Sequence, residues 1–156
     1  MTSNEPTQAT QATQATEPTE ATQWARTKSD AESFVERWSQ IWNGPDSDPQ
    51  LYMSLLHPGA VLTNPVNPIT REELPEFMES VLGLVPDMRV VPIQWTEIAD
   101  GVFIEWRNTG TLHGARFEIQ GVDLYYLRDG KGYAGVSYFD PRPLFQDPPN
   151  PATDDR

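Results

Sequence analysis

With 156 residues and a formal charge of −12, from 23 acidic against 11 basic side chains, the chain is sized for one domain and repels phosphate backbones and anionic lipid headgroups. It has no cysteine and two histidines, His57 and His113, which excludes disulfides, thiol catalysis and zinc sites built on thiolates or several imidazoles. No apolar run approaches the ~20 residues that cross a bilayer, and no basic start followed by an apolar region marks a secretory signal. A cytoplasmic protein with no nucleic-acid or membrane partner is expected.

Residues 1–27 are low in complexity, with Gln-Ala-Thr repeats at Gln8 to Thr16, and hold too few apolar residues to offset the entropy of ordering them. A disordered tail is expected there, a second short one over 146–156, and a single domain over 28–145. Ser29-x-x-Glu32 fits a capping box and opens a helix whose apolar stripe runs Ala31, Phe34, Val35, Trp38, Ile41 and Trp42 until Asn43-Gly44-Pro45 stops it. A shorter helix begins with Asp48 as cap and Pro49 at its first position, carries Leu51, Tyr52, Leu55 and Leu56, and is expected to end at His57-Pro58-Gly59. A brief apolar segment, Ala60 to Leu62, leads into the loop Asn64-Pro65-Val66-Asn67-Pro68. Thr70-x-x-Glu73 announces a third helix with Leu74, Phe77, Met78, Val81 and Leu82 on one side, Pro75 shifting its start by a residue or two. From Met88 the pattern becomes strands rich in β-branched and aromatic residues, with turns at Ala99-Asp100-Gly101 and at Asp129-Gly130, a strong hairpin signal. Helices followed by a meander of strands predict an α+β fold, three helices covering one face of a curved antiparallel sheet.

From Arg116 to Leu127 the alternate residues are Phe117, Ile119, Gly121, Asp123, Tyr125 and Leu127, which share one side of a strand. Five of these suit a core and the sixth is an acid. A carboxyl group among apolar side chains resists ionisation, so Asp123 can donate a hydrogen bond or move a proton near neutral pH. The plain alternative is a buried acid serving a backbone N–H or pairing with Arg107. Arg107 alternates with Phe103, Glu105 and Thr109, either as a solvated face or as a face turned to a ligand. Trp106 shares parity with Val102 and Ile104, a second apolar face that predicts burial against another subunit. Asn64 before Pro65 reads as a turn residue or as an amide orienting water. Ser137, in parity with Tyr133, Gly135 and Phe139, is a candidate pocket hydroxyl. His57 is expected at a helix end and His113 in a surface turn.

The order of elements, with Gly121-Val122-Asp123, Asp129-Gly130-Lys131 and Tyr138-Phe139-Asp140, resembles the nuclear-transport-factor-2-like superfamily, and within it the SnoaL-like proteins, over Ala31 to Leu144. The resemblance implies a cone-shaped α+β barrel with an apolar pocket, paired into dimers through its sheet. Relatives include ketosteroid isomerases, polyketide cyclases, limonene epoxide hydrolases, dehydratases and proteins without chemistry. Asp123 falls where the isomerases keep a protonated aspartic acid. Asn64 stands where they keep a general base, and Trp38 is nearest to their oxyanion tyrosine. Against the epoxide hydrolases, Asn64 and Arg107 match while Thr109 and Ser137 replace two aspartates. Ser137 also replaces the acid/base aspartate of the cyclases, whose pocket histidine falls at Asp123.

Together these readings predict a barrel pocket for a hydrophobic, oxygen-bearing small molecule, with no cofactor and no metal. Asp123, Asn64 and Ser137 are the candidate catalytic residues, and Arg107, Trp38, Tyr125 and Phe103 the candidate substrate contacts. Cofactor-free proton transfer of the isomerase, cyclase or dehydratase type is one reading; a non-catalytic ligand-binding or dimerisation module is the other.

Overall fold

The computed structural model describes residues 27–147, so the low-complexity segment before it and most of the expected C-terminal tail lie outside the described residues. Helix α1 spans Asp30–Trp38, and its N-cap Ser29 Oγ accepts a hydrogen bond from Glu32 N at 3.1 Å. The helix stops before the apolar stripe does. Gly44, at φ 56°, turns the chain, and the Ile41 carbonyl accepts from Asp48 N at 2.9 Å. Ile41 is nonetheless 0% exposed, so the stripe finishes its burial outside the helix. Helix α2, Pro49–Ser54, is capped as expected by Asp48, whose Oδ1 accepts from Leu51 N at 2.9 Å.

Strand β1, Leu56–Thr63, runs straight through His57-Pro58-Gly59, which the sequence reading takes as a helix stop. Its pairing slips between Leu56 and Val61, and Gly59 has φ 74°. Proline and glycine therefore mark a β-bulge here rather than a helix end. His57 accordingly lies in a strand, its Nε2 2.6 Å from the Arg128 carbonyl oxygen. Strand β2 is short, Ile69–Thr70. The expected capping box is present on a 3₁₀ turn over Arg71–Glu73, where Glu73 Oε2 accepts from Thr70 N and Oγ1, both at 2.8 Å. Helix α3, Leu74–Leu84, then takes Pro75 in its first turn, where a missing N–H leaves nothing unpaired.

Strands β3 (Arg89–Ile98), β4 (Gly101–Leu112), β5 (Ala115–Arg128) and β6 (Lys131–Phe139) follow as a meander. Two-residue turns join them, and His113-Gly114 and Asp129-Gly130 have positive φ at both positions, the geometry that matches strand twist. The six strands lie in the order β2-β1-β6-β5-β4-β3. All neighbours are antiparallel except β1 and β6, so the sheet is mixed and not wholly antiparallel as expected. It is curved and not closed, with the three helices against it, forming the α+β cone. Among the described residues no helix is long and apolar enough to cross a membrane.

The alternation predicted for β5 is observed, with Ile119, Asp123 and Tyr125 buried on the helix-covered face. On β4 the buried set is Val102, Ile104, Trp106, Asn108 and Gly110, whereas Phe103 and Arg107 are exposed. Ile104 pairs with Asp123, which sets Trp106 on the same side as the acid. The face that sequence parity assigned to a second subunit is thus this chain's own core. Ile41→Ala is expected to lower the unfolding free energy in urea by about 2–5 kcal/mol, the cost of a cavity in a closed core. A loss below about 1 kcal/mol would show that the segment after α1 packs loosely.

Candidate functional site

Between the sheet and the helices lies an apolar cavity of about 400 Å³. Trp38, Trp42, Trp106, Ile119 and Phe139 form much of its wall, and Asp123, Ser137 and Asn108 supply polar atoms. Val66, Phe77, Leu84 and Phe145 line it while remaining exposed, so its opening to solvent is rimmed by apolar side chains.

Asp123 is 6% exposed, and its two oxygens are held apart by different donors. Trp106 Nε1–H donates to Oδ1 at 2.7 Å, and Tyr125 Oη–H donates to Oδ2 at 3.1 Å. The Ser137 hydroxyl, opposite Asp123 in the β5–β6 register, is hydrogen-bonded to the same carboxyl. Behind Tyr125 the network continues: Trp38 Nε1–H donates to Tyr125 Oη at 3.0 Å, and Tyr52 Oη lies 2.8 Å from it. With the single proton of Tyr125 given to Asp123, Tyr52 is the donor in that contact.

Two glycines make the approach possible. A Cβ on Gly121 would stand 2.5 Å from Trp106 Cζ2, so its absence lets the indole lie across β5 and reach the carboxyl. A Cβ on Gly135 would lie 3.0 Å from the Tyr125 ring and 2.7 Å from Leu62, so the phenol packs against bare backbone. Phe34 packs on the other side of Tyr125, ring centroids 4.9 Å apart.

Burial pushes the Asp123 pKa above its ordinary value of 3.8, against the pull of the hydrogen bonds from Ser137, Trp106 and Tyr125. Burial likewise raises both tyrosines, Tyr52 and Tyr125, so they remain neutral phenols. Once protonated, the carboxyl has one hydrogen to give. The acceptors in reach are Ser137 Oγ, Tyr125 Oη with its proton turned toward Tyr52, and an oxygen in the cavity. Among the described residues no group of three His, Asp or Glu side chains could hold a metal ion.

Of the residues singled out from sequence, Asp123, Ser137 and Trp38 converge on the cavity. Tyr125 stands behind the wall, joined to Asp123 by its hydroxyl. Asn64 lines the cavity, but its amide is engaged in its own loop: Nδ2 donates to the Asn67 carbonyl at 2.6 Å, and Oδ1 accepts from Val66 N and Asn67 N at 2.8 and 3.0 Å. Arg107 and Phe103 point to the opposite face of the sheet and do not line the cavity. The reason is the parity of β4, and it also removes Arg107 as an ionic partner of Asp123. Tyr133 leaves the parity of Ser137 as well, because a register shift at Tyr126/Leu127 turns it outward beneath Arg128. Sequence reasoning missed Tyr52 as a polar group and Asn108 altogether. Extending the Val102, Ile104, Trp106 series by one step would have found Asn108.

Since the native pKa of Asp123 is raised, the native state binds more protons than the unfolded chain between 3.8 and that raised value. Stability therefore falls as pH rises through this window. Asp123→Asn cannot ionise, so its stability relative to wild type is expected to climb across the window, as measured by chemical unfolding at a series of pH values. A difference independent of pH would mean that burial leaves the carboxyl unshifted.

The sequence profile of the SnoaL-like domain matches residues 35–133, more than half of the chain. No protein of curated function matches it in sequence. Solved structures resemble it in fold at low identity. An NTF2-like protein of unknown function from Burkholderia pseudomallei K96243 superposes with a TM-score of 0.69 at 15% identity, covering 79% of this chain and 100% of that one. A protein named as a SnoaL-like polyketide cyclase from Jannaschia sp. CCS1 gives 0.63 at 19% identity, covering 81% and 99%. A hypothetical protein of ketosteroid isomerase-like fold from Catenulispora acidiphila DSM 44928, in complex with trimethylamine, gives 0.62 at 18% identity, covering 69% and 85%. With its profile match, its α+β cone and its covered cavity, the chain belongs to the SnoaL-like domain family.

Proposed function

We propose that the cavity binds a neutral, largely apolar molecule through a carbonyl or comparable oxygen seated against Asp123 and Ser137. The observation that carries this reading is a buried carboxyl, its charge disfavoured, facing an apolar space large enough for a small molecule. A neutral carboxylic acid donates to such an oxygen as it gains negative charge, so the arrangement suits cofactor-free proton transfer of the isomerase, cyclase or dehydratase type. Trp38 and Trp106 offer flat walls, and the loop held by Asn64 shapes one side. The net charge of −12 disfavours anionic ligands. Likeness in fold to a named polyketide cyclase and to a ketosteroid isomerase-like protein supports the same class of ligand.

One observation favours binding without turnover. Among the described residues no histidine, lysine, arginine or glutamate lines the cavity, so Asp123 has no partner base there. The two readings separate with 4-acetylbiphenyl as probe. Wild type is expected to quench in tryptophan fluorescence on binding it, with affinity falling as pH rises through the Asp123 pKa, and Asp123→Leu is expected to bind about ten-fold or more weakly. Failure of wild type to bind at any pH would defeat the proposal. Exchange of the probe's acetyl protons in D₂O above the buffer rate, followed by NMR, marks proton transfer; bound probe with no added exchange marks a binding module.

A homodimer is proposed as well, on the outer face of the sheet. Val91, Phe103 and Tyr138 are exposed there, beside Val122 and Leu124. Sedimentation equilibrium is expected to give a dimer for wild type and a monomer for Phe103→Glu. A monomeric wild type at micromolar concentration would rule the dimer out.

A further inference from the structure

Strand β3 is an edge of the sheet. Trp95 on it pairs with Ile104, which places the indole on the face that the helices cover. Ile104 is fully buried there, yet Trp95 is 40% exposed. Ile93, where the β3–β4 register slips between Pro92 and Gln94, is 49% exposed. Between this stretch and α1 lies a groove of about 330 Å³. Val35, Ile93 and Trp95 give it an apolar lining, and Glu32 and Glu36, one turn apart on α1, give it an acidic side.

The sequence leading into α1 carries the complementary groups. Among residues 1–27, Trp24 is the only aromatic and Arg26 the only basic side chain, in a stretch dominated by Gln, Ala and Thr. A solvated polar segment needs neither, and both fall within five residues of the N-cap Ser29. Lys28 shows which way the chain approaches. Its Nζ is paired with Glu36 Oε1, eight residues ahead, so Lys28 lies along the flank of α1 that borders the groove.

We infer that Trp24-Ala25-Arg26 docks in this groove of its own chain, the Trp24 indole against Ile93 and Trp95 and the Arg26 guanidinium against the Glu32–Glu36 row. Extended backbone from Trp24 to Lys28 puts residues 24, 26 and 28 on one side and spans ~13 Å, enough for the ~10 Å of α1 between Glu32 and Ser39. A tether of five residues to Ser29 holds the segment at high local concentration, whereas a second copy with the same net charge of −12 is repelled. The stabilisation comes mainly from burying the indole, because exposed ion pairs contribute little. Docking covers the inward side of the edge strand and ties it to α1, whatever the cavity binds.

The test is made on the full chain, isotope-labelled for NMR. Nuclear Overhauser contacts are expected between the Trp24 indole and the Ile93 methyl protons. Trp24→Ala is expected to lower the melting temperature by about 3 °C or more through loss of the buried indole. Arg26→Glu is expected to lower it less, by an amount that shrinks as salt is raised. A melting temperature of Trp24→Ala equal to that of wild type overturns the docking, as does the lack of those contacts in wild type. Contacts seen only between labelled and unlabelled chains in a mixed sample also overturn it, since they put the segment on a second copy. The core described above is built from residue 31 onward, so Trp24→Ala leaves it intact and the comparison stays decisive.

Discussion

The proposed function depends on one carboxyl group withdrawn from bulk solvent. Asp123 stands on a strand face otherwise given to rings and aliphatic chains, and desolvation there outweighs the three hydrogen bonds that favour its charge. An apolar side chain in its place would pack without any such opposition. On the proposed reading, what the protein gains is a carboxyl whose charge is disfavoured, set beside an apolar cavity. The neighbours fix how it is held. Trp106 can only donate, and Tyr125 is itself held by Trp38 and Tyr52, so the carboxyl is fixed in orientation without being neutralised by a cation.

The position of the acid in the sequence was readable because every second residue from Phe117 to Leu127 falls on one face of β5, and a period of two needs no knowledge of the partner strands. The helix caps at Ser29, Asp48 and Thr70 were equally local signals, each a side chain answering an N–H two or three residues away. Local rules failed where the answer lay in a neighbouring strand. The β4 alternation offers two faces, one with Trp106 and one with Arg107, and nothing within β4 says which meets Asp123. The register Ile104 with Asp123 decides it. Likewise His57-Pro58-Gly59 reads as a stop until β6 is present beside it to make the same residues a bulge. Asn108 follows Trp106 in the same alternation, so it becomes a cavity residue once the register names that face as the inward one.

The two glycines of β5 and β6 show how composition serves position. Gly121 and Gly135 weaken strand propensity, and neither sits in a turn. Each removes a Cβ where an aromatic ring must pass, the indole of Trp106 in one case and the phenol of Tyr125 in the other. The polar cluster is thus assembled by small residues that make no hydrogen bond to it through a side chain.

The one parallel pairing in the sheet divides the site into parts of different origin. Strands β3 to β6 are joined by two-residue turns and close among themselves, whereas Leu62 of β1 meets Gly135 of β6 from more than seventy residues away. Closing so long a loop costs more entropy than closing a hairpin, so the layer made by α1, α2, β1 and α3 is the less firmly tethered half. Asp123, Trp106 and Ser137 all belong to the hairpin half, while Trp38 and Tyr52 belong to the other. A breathing motion that lifted the helical layer would leave the carboxyl and its indole donor in place and widen the opening beside them. Passage of a guest molecule and exchange of the Asp123 proton with solvent would then be one event, governed by the same opening.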